Sequence, residues 1–288
     1  MNIIVSLNKD KGVTSHDAVT SVKKLFKVRK AGHAGTLDPI ATGVLLVCLN
    51  EATKVAGFLS DMDKEYIMTA KLGESTDTYD AEGRVIKKSQ ISDLRFQIED
   101  IEKITRRFTG EIEQTPPMYS AIKLSGEPLY KLARKGIEVE RKPRKVVINS
   151  IEILEFDAPF LKLKVSCSKG TYMRSLCSDI GEALGVGAHM TDLIRTRIGD
   201  FKIEDSAKIS ELPQKTGAMH AIDSALKRLP EIILEGEDLK KAKNGNPLPV
   251  VLPETNKMFI RLKDPDNRLL GIGKVLKDSI KIERLFNM

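Results

Sequence analysis

The sequence predicts an α+β domain built on a mixed, largely antiparallel sheet, followed by a small β-rich module. Three observations point there. Apolar or alternating runs such as "GVLLVCL" (43–49), "KEYIMTAKLG" (64–73) and "FLKLKVSCS" (160–168) have strand patterning. Amphipathic runs at 98–110 and 171–185 have helical patterning, yet they interleave with the strands irregularly, without the βαβ period of a parallel sheet. After Leu229-Pro230 the texture changes to short strands separated by turns, which places a boundary there: residues 1–230 form the main domain and 231–288 the small module. So short a module lies near the lower limit of independent stability and is expected to pack on the main domain.

The elements follow in order. "IIVSLN" (3–8) is a short strand, and "KDKGVTSHD" is a turn ending in helix-start chemistry, with Thr14 or Ser15 as the cap and Asp17 in the first turn. Ala18, Val19, Val22, Leu25 and Phe26 then recur at helical spacing. A loop rich in glycine leads to the strand 43–49, and 51–61 suits a short helix. After the strand 64–73, "STDTYDAEGRVI" is a polar hairpin-like turn. The helix 98–110 is stopped by Gly110, "EQTPPMYSAIK" is a proline-stiffened loop, and "LYKLARKG" is a short basic helix ending at Gly136. Strands are expected at 145–156 and 160–168, a helix at 171–185, and extended structure after it. In the small module "GEDLKKAKNGNPLP" is a short helix, and "KMFIRLK", "RLLGIGKVL" and "SIKIERLF" are three strands.

At 41% hydrophobic and 30% charged residues, the composition is that of a globular protein with enough apolar residues for a core. The formal charge of +7 favours an anionic partner. Its distribution says more. Between Ala18 and Leu37 stand five basic residues, Lys23, Lys24, Lys27, Arg29 and Lys30, and no acid. Between Lys123 and Lys145 eight basic residues face three acidic ones. Either run alone is a solvated surface; two, one of them leading into the glycine-rich loop, suggest a phosphate-facing surface. Cys48, Cys167 and Cys177 form no CxxC pair and lie in apolar or alternating runs, so they are expected to be buried thiols. No apolar stretch reaches membrane-spanning length, and the N-terminus lacks signal-peptide patterning, so a cytoplasmic location is expected.

The loop itself, "GHAGTLDPIATGVL" (32–45), reads as a site. Gly32 and Gly35 permit close approach or unusual backbone angles, and Pro39 biases Asp38 toward extended geometry. The arrangement can hold one carboxylate rigidly at a loop tip; an isolated Gly-Thr-Leu-Asp-Pro is more readily a tight turn with an Asx cap. The glycine spacing is not that of a P-loop, and the four histidines show no paired spacing for a metal.

"GHAGTLDPIATGVLLVCLNEATK" closely resembles the central motif of bacterial tRNA pseudouridine synthases that modify uridine 55, the TruB family. "KGVTSHD", "DKEYIMTAKLGESTDTYDAEG", "PPMYSAIK", "GEPLYKLARKGIEV", "CSKGTYMRSLCSDIGEALG" and "AHMTDLIRTRIGDF" agree in order, so the resemblance spans roughly residues 3–205. It implies a pseudouridine synthase fold, its sheet flanked by helices, with a C-terminal module similar to the small RNA-binding barrel called PUA. It implies a cofactor-free isomerase that acts on the T-arm stem-loop of tRNA; no metal and no obligate protein partner are expected, and a monomer is the default. Asp38 would be the catalytic aspartate, Arg174 its arginine partner and Tyr66 the tyrosine that stacks on the flipped base. Tyr172 and Leu193 match positions lining the uracil pocket, and His33 would contact the flipped nucleotide or the gap it leaves. Two departures stand out. Lys9 is followed by Asp10 where the family has Lys-Pro, and Ile194 stands where the family often has arginine, which would remove one RNA contact. Two rivals remain. An RNA-binding protein without chemistry would not need Asp38, Tyr66 and Arg174 together; a carboxylate hydrolase would need a second acid, for which Glu51 and Asp77 qualify by composition.

Overall fold

The computed structural model describes residues 1–89, 97–124, 126–249 and 258–287. The chain divides into two compact units. The first comprises Met1–Pro39, Val44–Ser60 and Glu204–Met288; the second comprises Ile40–Gly43 and Asp61–Ile203. The sequence position 230/231, where the texture of the chain changes, falls inside the first unit.

In the first unit the strand Ile3–Lys9 pairs antiparallel with Met219–Ala221. On its other side lies the strand Thr42–Leu49, whose residues from Gly43 onward are buried. Ala31–His33 runs antiparallel to the end of that strand, with His33 opposite Val47. The helix Ser15–Leu25 starts where its chemistry demands: the Thr14 hydroxyl accepts a hydrogen bond from the Asp17 amide at 3.1 Å and donates to its carboxylate at 2.6 Å. Its Ala18, Val19 and Val22 are buried, as their spacing requires. The stretch after Leu49 is a 3-10 helix, Asn50–Val55, that turns into one α-turn, Ala56–Ser60, rather than a single helix over 51–61. So few residues cannot sustain an α-helical nucleus by themselves, and both halves are held by tertiary packing.

The C-terminal part of this unit is a five-stranded sheet, in the order Glu231–Ile233, Phe259–Lys263, Leu269–Val275, Ser279–Leu285 and Leu248–Pro249. Three of these strands follow the sequence patterning. The two short outer ones are too brief to show a period, and only tertiary pairing creates them. Leu234, Ala242, Leu248, Ile260, Leu262 and Ile280 form its core, with the helix Gly236–Lys243 contributing Ala242. Four charges tie this sheet to the chain before it. Arg261 reaches Asp223 at 2.7 Å and Glu231 at 2.8 Å, and Lys263 reaches the same two carboxylates at 3.0 and 2.9 Å. Other contacts join it to residues 51–58: Phe58 meets Phe259 edge-on at 4.9 Å, the Lys54 ammonium donates to the Leu285 carbonyl at 2.7 Å, and the Asn287 amide donates to Glu51 at 2.8 Å. The sheet is thus fastened to two separate stretches of the chain before it, as its size predicts.

In the second unit the strands lie in the order Ala188–Ile198, Lys64–Leu72, Phe160–Cys167, Arg144–Asp157 and Gly110–Gln114, every neighbour antiparallel. Thr42 and Gly43 add one parallel pairing, opposite Ile194 and Arg195, so the sheet is mixed but largely antiparallel. Lys64–Leu72 alternates strictly between buried and half-exposed residues. The helix expected over 98–110 ends at Arg106; Gly110 sits at a φ of +99° and opens the next strand instead. Cys48, Cys167 and Cys177 are buried free thiols, and burial pushes the first two up to about 12 and about 11.

Candidate functional site

The part of the glycine-rich loop that bears His33 and Asp38, residues 32–39, belongs to the first unit. Ser15, the first helical residue, closes it: its hydroxyl accepts from the Leu37 amide at 2.8 Å and donates to the Leu37 carbonyl at 2.9 Å. Two residues further on, the Pro39 carbonyl accepts the Gly12 amide at 2.8 Å. The buried Lys9 ammonium donates to the Val13 carbonyl at 2.7 Å and lies 3.5 Å from that same Pro39 carbonyl. Asp38 is therefore bracketed on both sides by backbone groups that the start of the helix and the turn before it hold in place. Gly35 adopts a φ of +97°, which a side chain would resist. Asp38 is half-buried, Thr36 exposed, and His33 half-buried at the end of its short strand. Asp10, in place of the family's proline, pairs with Lys208 at 3.1 Å, so that departure alters a turn and leaves Lys9 in position.

Lys23 and Lys24 occupy the last turn of the helix that Ser15 begins, where cations complement its dipole. Lys27 follows at a φ of +50°, and Arg29 and Lys30 lead into the strand of His33. All five side chains are exposed, and among the described residues none forms an ion pair. The second basic run differs. Lys135 pairs with Glu127 and Lys145 with Glu111, both at 2.8 Å, and Arg134 lies over the Tyr130 ring at 5.7 Å.

The other site residues belong to the second unit. Tyr66 is buried on the central strand, opposite Val165 on one side and Arg195 on the other. Leu193 stands opposite Met68, so Tyr66, Leu193 and Arg195 share one face of the sheet. Ile194 points to the opposite face, beside Ile67 and Thr42. The absent arginine at that position is therefore not a loss from the face that carries Tyr66. Lys64, two residues before Tyr66 on the same face, is buried; burial, then the charge of Arg195, brings its ammonium down to about 8.

Arg174 is the second residue of the helix Met173–Ala183 and is 5% exposed. The N-terminal turn of a helix disfavours a cation, and burial disfavours it further. Its surroundings offset both. The guanidinium donates to the Tyr119 carbonyl at 2.7 Å and the Thr78 carbonyl at 3.3 Å, and it lies 3.6 Å from the buried Asp80 carboxylate. Asp80 is itself held by the Thr78 hydroxyl at 2.6 Å and the Glu82 amide at 3.1 Å. Tyr172 precedes the helix, and Gln114 grips it twice, accepting from its amide at 2.7 Å and donating to its carbonyl at 3.1 Å. A guanidinium kept this way at a helix start is a preformed, oriented cation.

Asp80 and Gln114 carry no signal that singles them out in sequence. Asp80 is one of several acids in a polar turn, and Gln114 one polar residue shortly before two prolines. The available clue is indirect: a buried arginine requires a buried acid. The two acids that composition offered to a hydrolase are used otherwise. Glu51 bonds Lys54 and the Asn287 amide, and Asp77 bonds the Arg84 amide at 2.8 Å within its hairpin. The bond from Lys54 and that from the Asn287 amide hold the Glu51 carboxyl below its ordinary value. Among the described residues no cluster of three or more His, Cys, Asp or Glu side chains is placed to hold a metal, and no helix is long and apolar enough to cross a membrane.

Comparison with known proteins adds three findings. Residues 23–173 match the N-terminal domain of the TruB family of pseudouridylate synthases, and residues 174–238 match the C-terminal domain described for tRNA pseudouridylate synthase B. The tRNA pseudouridine synthase B of Clostridium tetani is 42% identical over 99% of each chain, and that of Dechloromonas aromatica is 43% identical over 94% of this chain and 90% of its own. Among solved structures, an H/ACA RNP bound to a substrate RNA containing 2'-deoxyuridine superposes with a TM-score of 0.75 at 26% identity, covering 99% of this chain and 85% of that one.

Proposed function

The chain belongs to the TruB family of pseudouridylate synthases, and we propose on that premise that it isomerises uridine 55 in the T-loop of tRNA to pseudouridine. The match along almost the whole chain carries this reading. The preformed Arg174 cation beside Asp80, on the unit that also bears Tyr66, agrees with it, since it offers chemistry an oriented guanidinium.

The reaction breaks the bond between N1 of uracil and C1′ of ribose, turns the base, and joins C5 to C1′; the C5 proton leaves for water and N1 gains one. Asp38 supplies the carboxylate, acting on the sugar as nucleophile or as stabiliser of developing charge. Arg174 is the guanidinium that keeps such a carboxylate ionised and directed. Tyr66 provides the ring for the extracted base, with Tyr172 and Leu193 lining the uracil site and His33 on the flipped nucleotide. Lys23, Lys24, Lys27, Arg29 and Lys30 meet backbone phosphates and position the arm without reading its sequence. The five-stranded C-terminal sheet is a PUA-like RNA-binding module. The enzyme acts as a cytoplasmic monomer, without cofactor or obligate protein partner.

Tritium release from a T-stem-loop RNA labelled at C5 of its uridine tests this directly, with wild type and Asp38→Asn side by side. Wild type releases tritium. The variant releases none, while its RNA affinity stays within about tenfold, because an uncharged isostere removes chemistry but few phosphate contacts. Tight binding without release by wild type would make the chain a binding protein.

A further inference from the structure

Arg141 lies in the second basic run, but it does not behave as a solvated cation. Its side chain is 16% exposed and turns inward, where Nη1 donates to the Pro116 carbonyl at 3.1 Å. Its ion pair with Glu138 is long, at 3.6 Å, to a carboxylate 82% exposed. Its Nε is buried with no hydrogen-bond partner among the described residues. A surface arginine would satisfy that group in water, so the inward pose costs solvation and is held for the bond to Pro116.

Pro116 is three residues from Tyr119, whose carbonyl accepts the 2.7 Å hydrogen bond of Arg174. The same turn is bonded to the helix of Arg174 again through Thr115, whose carbonyl accepts the Ser175 hydroxyl at 2.9 Å. Two consecutive prolines, both buried, stiffen the span between these points, so a displacement at Pro116 is carried to Tyr119 rather than absorbed.

We infer that Arg141 is a positioning residue for Arg174, bracing the 115–119 turn from outside and so aiming the guanidinium within. This rests on the proposed isomerase reading, since the aim of Arg174 matters only to chemistry. A brace of this kind acts on turnover and leaves binding nearly unchanged, whereas a phosphate contact does the reverse.

The test compares wild type, Arg141→Ala, Arg141→Lys and Glu138→Gln. Three quantities are read with the T-stem-loop RNA: single-turnover rate at saturation, Kd, and the dependence of Kd on salt. Arg141→Ala should lose at least tenfold in rate with Kd within threefold. Added guanidinium ion, against the same concentration of sodium chloride, should restore part of the rate. Arg141→Lys, which lacks the fork, should recover less than half, and Glu138→Gln should match wild type. An unchanged rate with weaker binding and a shallower salt slope would make Arg141 a phosphate contact and overturn the inference. Hydrogen exchange supplies a readout free of activity: peptides covering 115–120 and 172–176 should exchange faster in Arg141→Ala, judged folded by circular dichroism. Equal exchange would overturn the brace even if wild type proved inactive, which by itself would sink the isomerase reading. If the alanine variant does not fold, Arg141→Gln takes its place in the same measurements.

Discussion

Gly43 illustrates how far one residue can be constrained by its neighbours. It has a φ of +97°, and a Cβ placed there would collide with the backbone carbonyl of Arg195 on the adjacent strand. Neither problem can be relieved by rotating a side chain. Gly43→Ala should therefore cost about 3 kcal/mol or more of stability. The chain has no tryptophan, so urea unfolding followed by circular dichroism is the measurement, and a midpoint equal to wild type would show that the strands can part there. Asp80 is constrained by charge in the same sense. Asp80→Asn keeps the shape but removes the buried Asp80 charge 3.6 Å from Arg174, a loss of roughly 3 kcal/mol. The same unfolding experiment reads it, and turnover should fall as well because the guanidinium is held less firmly.

At the scale of elements, the helix Ser15–Leu25 does two things at once. Its first turn fixes the glycine-rich loop through Ser15, and its last turn carries Lys23 and Lys24 into a run of exposed cations. Replacing Lys23, Lys24 and Lys27 with alanine should weaken RNA binding and flatten the plot of log affinity against log salt by about 2–3 units, close to one for each phosphate that goes unmet. An unchanged slope would mean that this run does not meet phosphates. Much of this element was legible from pattern alone: the Thr14 cap, Asp17 in the first turn, and the apolar residues at helical spacing all act locally. The same holds for the alternating strand Lys64–Leu72. The short pieces were not legible. The 3-10 turn at Asn50–Val55 and the strands Glu231–Ile233 and Leu248–Pro249 span too few residues to display a period.

At the scale of the whole molecule, the four-charge junction of Asp223, Glu231, Arg261 and Lys263 links the C-terminal sheet to the chain before it. Burial pushes the Asp223 carboxyl up, but hydrogen bonds from Arg261 and Lys263 outweigh it and hold it below its ordinary value. The bond from Lys263 does the same for Glu231, and Lys263 in turn is raised by its two carboxylates. Carboxyls with lowered values contribute stability above their unfolded values, near about pH 4, and lose it as pH falls through the folded ones. A lysine with a raised value contributes below about pH 10.4 and loses that contribution as pH rises through its folded value. The urea midpoint should thus decline in acid below about pH 4 and again above about pH 10.5. Asp223→Asn with Glu231→Gln should remove the junction's share of the acid limb, and an acid limb identical to wild type would show that the junction contributes nothing. By itself the sequence determined the α+β class, the strands and helices with a full period, the family, and the loop that bears Asp38, because caps, alternation and contiguous motifs are properties of neighbouring residues. What awaited the folded chain is that Arg174 answers to Asp80 and Tyr119, that Gln114 grips Tyr172, that Ile194 faces away from Tyr66, and that residues 51–58 and Asp223 hold the C-terminal sheet. Those pairings join residues up to 236 positions apart, and a buried charge finds its partner by proximity in the fold, which no local pattern records.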